Sequence, residues 1–138
     1  MSLQYETFHL SGLFYKKAGW YFLYKPVKVA YENIIAEAEE KGFTVASKAI
    51  VERAVAIGKG WIAVEVDKNN LPNNYNEFVI ELKGEFTAYT HEGSYSGLKH
   101  VYRKIMNDHP KAKEFYSLYL NTPNEVDEKD LKTMILFR

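Results

Sequence analysis

The sequence predicts an α+β fold: an antiparallel sheet with two helices on one face, built from two pseudo-symmetric strand–helix–strand–strand halves with a cleft between them. Two observations carry this. Apolar residues recur at helical spacing in two stretches, 27–40 and 95–106, and at strand spacing almost everywhere else. The order of elements also repeats on either side of a polar segment, 67–76, which reads Asp-Lys-Asn-Asn-Leu-Pro-Asn-Asn-Tyr-Asn and is rich in turn formers.

The opening strand lies within residues 5–15, where Tyr5, Phe8, Leu10, Leu13, Phe14 and Tyr15 cluster around Gly12. Trp20 to Tyr24 forms a second apolar run, and Pro26 suits a strand end or a first helical turn. From Val27 the period changes. Val27, Ala30, Tyr31, Ile34, Ile35 and Ala38 mark one helical face, and Lys41-Gly42 supplies a cation in the last turn followed by a helix-ending glycine. Two alternating segments around 49–55 and 61–66 are joined through Gly58-Lys59-Gly60.

Past the Asn-rich segment, Phe78, Ile80 and Leu82 alternate with Val79, Glu81 and Lys83, and Gly84 leads into the strand Phe86–Thr90. Gly93 permits a turn and Ser94 is placed as an N-cap. Tyr95, Leu98, Val101, Tyr102, Ile105 and Met106 then share a helical face that Pro110 brings to an end. Residues 115–121 and 133–137 read as the closing strands, with a short turn at 127–130 between them. Matching Trp20 to Phe86 sets the halves, about 5–67 and 76–137, roughly 66 positions apart.

At 138 residues the chain is predicted to be a single domain, 1–138, able to bury a core without staples. Lysines and arginines number 18, as do the acids, so the net charge is zero and no electrostatic footprint for nucleic acid appears. There are no cysteines, which excludes disulfides and thiol catalysis and is compatible with a cytoplasmic location. No apolar run is long enough to span a membrane, and the start lacks the pattern of a signal peptide. The 11 tyrosines, 8 phenylalanines and 2 tryptophans stand out, and such a surplus suits either a lined cleft or interface or tyrosines half buried in a sheet, where Tyr is favoured.

The segment Thr90-His91-Glu92-Gly93-Ser94-Tyr95 is followed by an amphipathic helix, then Tyr116-Ser117-Leu118-Tyr119-Leu120-Asn121-Thr122-Pro123 and a closing Leu131-Lys132-Thr133-Met134-Ile135. Together these resemble the C-terminal half of the GyrI-like domains, small-molecule-binding domains of the SOUL/GyrI-like superfamily that also serve as effector modules of bacterial transcription regulators. The resemblance covers residues 78–137 and extends in topology to residues 8–67. It implies two strand–helix–strand–strand units about a pseudo-two-fold axis. It also implies a stand-alone ligand-binding domain, since 138 residues leave no room for the helix-turn-helix part that such regulators carry. Relatives commonly carry Glu two residues before the Tyr of Tyr-Leu-Asn, as a cleft carboxylate; here that position is Ser117.

Several other chemistries fail on the residues. Gly93-Ser-Tyr-Ser-Gly97 has Tyr95 where a hydrolase elbow needs its nucleophile. His9, His91, His100 and His109 lack zinc-helix spacing. His91 and Glu92 are strand neighbours and point apart. The lysines at 16, 17, 25 and 28, and the cations from Lys99 to Lys113, are offset by nearby acids and read as solvated faces. No cofactor, metal or catalytic residue is expected.

Strand alternation sets the candidate site. With Leu118 and Leu120 under the helices, Ser117 and Tyr119 face the opposite side, toward the cleft. Glu52, Trp61 and Glu65 are placed there too, and Tyr24, Tyr89 and Tyr95 complete the aromatic set. Aromatic walls with a carboxylate suit a planar apolar or cationic ligand. The expected partner is therefore a small molecule, with no direct nucleic-acid or membrane binding. The alternatives are a small hydrolase acting on reactive xenobiotics, or a protein-interaction module of the gyrase-inhibitor type with a protein partner.

Overall fold

The structure, a computed structural model, describes the backbone of residues 3–20, 27–53, 59–122 and 125–138 and the side chains of 3–17, 33–53, 60–122 and 125–138. Six strands and two α-helices follow in the order β1 (Glu6–Trp20), α1 (Val27–Glu40), β2 (Val45–Arg53), β3 (Lys59–Val66), β4 (Val79–Glu92), α2 (Leu98–Asp108), β5 (Phe115–Tyr119) and β6 (Lys132–Phe137). The strand order is β1-β3-β2-β5-β6-β4, and β4 pairs back onto β1 to close a barrel. All pairings are antiparallel.

This order maps onto itself when β1, α1, β2 and β3 are exchanged for β4, α2, β5 and β6. The β1–β3 and β2–β3 pairs then become β4–β6 and β5–β6, and the two seams, β1–β4 and β2–β5, map onto themselves. The pseudo-two-fold expected from the sequence is present. Its first strand is β1, not the run from Trp20 to Tyr24, of which residues 21–24 lie outside the described residues.

Glycine was read as punctuation in two places where the strand runs through. Gly12 pairs with Leu82 inside β1–β4, and a Cβ there would meet Glu65 Oε2 at 2.8 Å and the Phe14 ring at 2.9 Å. Gly84 pairs with Leu10 and takes φ +131°, so it bends β4 without ending it. Gly42, at φ +95°, ends α1 as expected. Ser94 accepts a hydrogen bond from the Ser96 N–H and so caps a short 3₁₀ turn, Tyr95–Gly97, rather than α2 itself.

A six-stranded barrel has no room for a helix inside, so both helices sit on its outer face. Ile34 and Ala38 of α1 and Leu98, Val101, Tyr102 and Ile105 of α2 pack there with Tyr15, Ile50, Ile62, Val64, Tyr119 and Ile135. The opposite face, where a cleft was expected, is the barrel interior. Phe14, Val51, Ala63, Leu82, Phe86, Ala88, Tyr116, Leu118 and Leu136 fill it as a second core. Among the described residues no helix is long and apolar enough to cross a membrane.

Candidate functional site

Strands β2 and β5 pair through Ile50 with Tyr119, Val51 with Leu118 and Glu52 with Ser117. Paired residues share a face, so Ile50, Glu52, Ser117 and Tyr119 all point to the helix side, while Val51 and Leu118 point into the barrel. This reverses the expected arrangement. Leu118 is buried away from the helices, Leu120 is 42% exposed, and Ser117 and Tyr119 lie beneath α2. Alternation tells which residues share a face. It does not tell which face meets the helices when both are apolar.

Glu52 is fully buried. The Tyr119 hydroxyl donates to its Oε1 at 2.9 Å, reaching diagonally across the seam. Oε2 has no hydrogen-bond partner, and among the described residues Glu52 forms no ion pair. Burial pushes the carboxyl up to about 7, against the opposing pull of the Tyr119 hydrogen bond. In the row of cross-strand neighbours, Glu52 faces Ile62 on β3, and Ile62 in turn faces Lys17 on β1. The Lys17 ammonium contacts Glu37 of α1 at 3.0 Å.

Three tyrosines surround the acid. The Tyr102 hydroxyl, brought in by the buried stripe of α2, is hydrogen-bonded to Ser117 Oγ. Tyr95, on the 3₁₀ turn, sets its ring edge-on to Tyr119 at 5.5 Å and 81°. Burial raises all three phenols, Tyr95 to about 12 and Tyr119 well above the usual range, so each stays a neutral hydroxyl. Across from Tyr119 on β6 stands Thr133, buried, whose Oγ1 also lacks a partner. Two unsatisfied buried oxygens thus sit on one patch, whereas the large majority of buried side-chain polar atoms have a partner.

The structure therefore gathers Glu52, Tyr95, Ser117 and Tyr119 from the sequence-derived set. Trp61 and Glu65 are on the other side of the sheet. Trp61 lies against the Tyr116 ring at 5.7 Å in the barrel, and Glu65 pairs with Phe14 beside Gly12. Tyr89 is on the helix side but beyond Ile135, and contacts Tyr5 edge-on at 6.3 Å. Tyr24 lies outside the described residues. Tyr102 and Thr133 were missed. The signal for Tyr102 was a tyrosine inside an apolar helical stripe, since a buried hydroxyl needs a partner and Ser117 is the polar residue of an apolar strand.

Two surface hollows lie elsewhere. One of about 480 Å³ is floored by Phe137, His109 and Pro110. One of about 390 Å³ lies between Ile35 and Glu39 of α1 and the start of β2. Neither reaches Glu52. Among the described residues no cluster of three His, Asp or Glu side chains is placed to hold a metal ion.

No family model matches the chain, and no curated protein matches it. Solved structures do. The C-terminal domain of EcmrR superposes with a TM-score of 0.78 at 14% identity, covering 99% of this chain and 97% of that one. In the EcmrR–DNA complex the TM-score is 0.73 at 14% identity over 97% of this chain, which there spans 56% of the EcmrR chain. A hydrolase encoded by lin2189 from Listeria innocua gives 0.57 at 10% identity, covering 97% and 90% of the two chains. SAV2435, in a structure bound to tetraphenylphosphonium, gives 0.58 at 14% identity, covering 98% and 93%. The GyrI-like architecture implied by the sequence resemblance is thus the fold this chain adopts. Ser117, where the sequence resemblance implies a cleft carboxylate, stands directly opposite Glu52 on the neighbouring strand.

Proposed function

We propose that this chain is a small-molecule-binding domain whose ligand is a flat, mainly apolar cation, with Glu52 as the counter-charge and Tyr95, Tyr102 and Tyr119 as the aromatic surround. One observation carries the reading: a carboxylate is buried and, among the described residues, forms no ion pair with a cation. Such a group is a standing cost to the fold, and a positive ligand beside it would offset that cost. The tetraphenylphosphonium bound to SAV2435 is likewise an apolar aromatic cation, though tetrahedral and not flat, on the same fold. Because Glu52, Ser117 and Tyr119 are all buried, a ligand reaches the carboxylate only when the side chains packed over them shift, Tyr102 on Ser117 and Tyr95 on Tyr119 among them. In the setting of EcmrR, whose matching domain belongs to a longer DNA-bound chain, such binding would be an effector event.

The test is a fluorescence-anisotropy titration of size-matched cationic and neutral planar dyes. The cationic dye binds tighter, and Glu52→Gln removes the difference while leaving neutral-dye binding within about two-fold. Undiminished cationic preference in Glu52→Gln refutes the reading. Hydrolysis is a second reading, favoured by an acid that titrates near neutrality beside a tyrosine hydroxyl. Product formation from reactive ester or epoxide probes, lost in Glu52→Gln, would establish it in place of simple binding.

A further inference from the structure

We propose that the cation taken at Glu52 is a hydrogen-bond donor, a protonated amine or amidine, in preference to a quaternary onium. This inference rests on the cation-site reading above and narrows the class of ligand.

The argument is an inventory of donors. An ionised carboxylate only accepts, and each oxygen has room for about two hydrogen bonds. Oε1 receives the Tyr119 hydroxyl. Oε2 receives nothing, in a site with no exposure to water. Among the described residues, no hydrogen bond reaches Oε2 from the nearby side chains. The Tyr102 hydroxyl is engaged with Ser117, and the cross-strand neighbour on the β3 side is the apolar Ile62. Tyr95 meets the Tyr119 ring edge-on, next to the carboxylate's own partner. The Lys17 ammonium, in the same row on β1, is held by Glu37 of α1.

A quaternary onium in this setting would neutralise the charge and leave Oε2 as it is, an acceptor with no donor in a dry site. A protonated amine would do both jobs with one atom, placing N–H on Oε2 as a charge-assisted hydrogen bond. The amine gives up more hydration on entry than the onium does. That loss is offset only where a fixed acceptor awaits it, and Oε2 is such an acceptor. The same geometry makes binding proton-linked. A neutral Glu52 carries its proton on Oε2, the oxygen not already accepting from Tyr119, and the ligand N–H takes that place. The other titratable groups facing the acid are Tyr119 from β5 and Tyr102 from α2, both neutral phenols, with Lys17 and Glu37 farther along the row.

The experiment compares two probes that differ in one methyl group: protonated N,N-dimethyl-1-naphthylmethylamine and the corresponding trimethylammonium. Each is titrated calorimetrically into the wild-type chain at pH 7 in two buffers of different ionisation enthalpy. The expected result is binding of the amine at least about ten-fold tighter, the scale of a charge-assisted hydrogen bond. Heats that differ between buffers then report the displaced proton. Glu52→Gln collapses the preference to within about two-fold, and the wild-type comparison stands by itself should that variant fold poorly. Equal or tighter binding of the trimethylammonium overturns the donor preference while the cation site stands. Failure of both probes to bind, alongside failure of the cationic dyes, overturns both.

Discussion

Replacing Glu52 by Gln tests the central feature of the site without any ligand. In the wild type, burial raises the carboxyl from an ordinary 4.5 to about 7. Between those values the folded chain holds a proton that the unfolded chain has released. Stability therefore falls as pH rises through that window, and flattens above about 7, where both states are ionised. The full rise corresponds to roughly 3 kcal/mol, of which about 2–3 kcal/mol falls between pH 5 and pH 8. Gln is nearly isosteric and keeps an acceptor for Tyr119, but does not titrate. It also sets a buried amide where Oε2 lacked a partner, at a pH-independent cost of about 1–3 kcal/mol. The informative quantity is thus the slope, not the absolute stability. Urea unfolding at half-unit steps from pH 5 to pH 8 supplies it. Groups common to both proteins cancel in the difference. The wild type is expected to lose about 2–3 kcal/mol more than Glu52→Gln over this range. Parallel curves would show that Glu52 is solvated in solution, and the argument for a strained carboxylate would fall.

Two further substitutions probe the surround. Tyr119→Phe removes the hydroxyl that donates to Oε1, so the midpoint of the stability–pH curve should move above about 7; an unchanged or lower midpoint in the same urea series would refute that hydrogen bond. Leu98→Ala empties a site 1% exposed beneath α2 and should cost roughly 2–5 kcal/mol by urea unfolding; a loss within about 0.5 kcal/mol would show that α2 does not pack as described.

What the sequence made legible follows the reach of each signal. The helices were readable because a 3.6-residue period and their end signals are local: α1 stops at Lys41-Gly42, and α2 stops ahead of Pro110. Barrel closure was not readable, because it depends on β1 meeting β4 across some 70 positions, a long-range choice that no local pattern encodes. That Glu52, Ser117 and Tyr119 share a face follows from strand alternation, although the face is the helix side and not the one expected. Trp61 and Glu65 were grouped with them wrongly for a definite reason. The face shared by two strands depends on register, and Glu52 pairs with Ile62; a slip of one residue would have paired it with Trp61 and brought the tryptophan to the acid.

The location of Glu52 adds a consequence to its burial. The two halves meet along two seams of very different length. Among the described residues, β1 and β4 pair from Glu6 to Tyr15, whereas β2 and β5 pair from Ile50 to Glu52. The group most costly to bury therefore sits in the shorter seam, which has fewer main-chain hydrogen bonds to hold it shut. When Glu52 ionises, the penalty is relieved by opening that seam locally, without unfolding the barrel. Amide hydrogen exchange separates the two routes. After correction for intrinsic rates, amides of 50–52 and 117–119 should lose protection between pH 6 and pH 8 in the wild type, while those of 8–14 on β1 hold theirs. In Glu52→Gln both sets should keep their protection. If the β1 amides lose protection in step with the β2–β5 seam, opening is global, and the short seam has no separate motion through which a ligand could reach the acid.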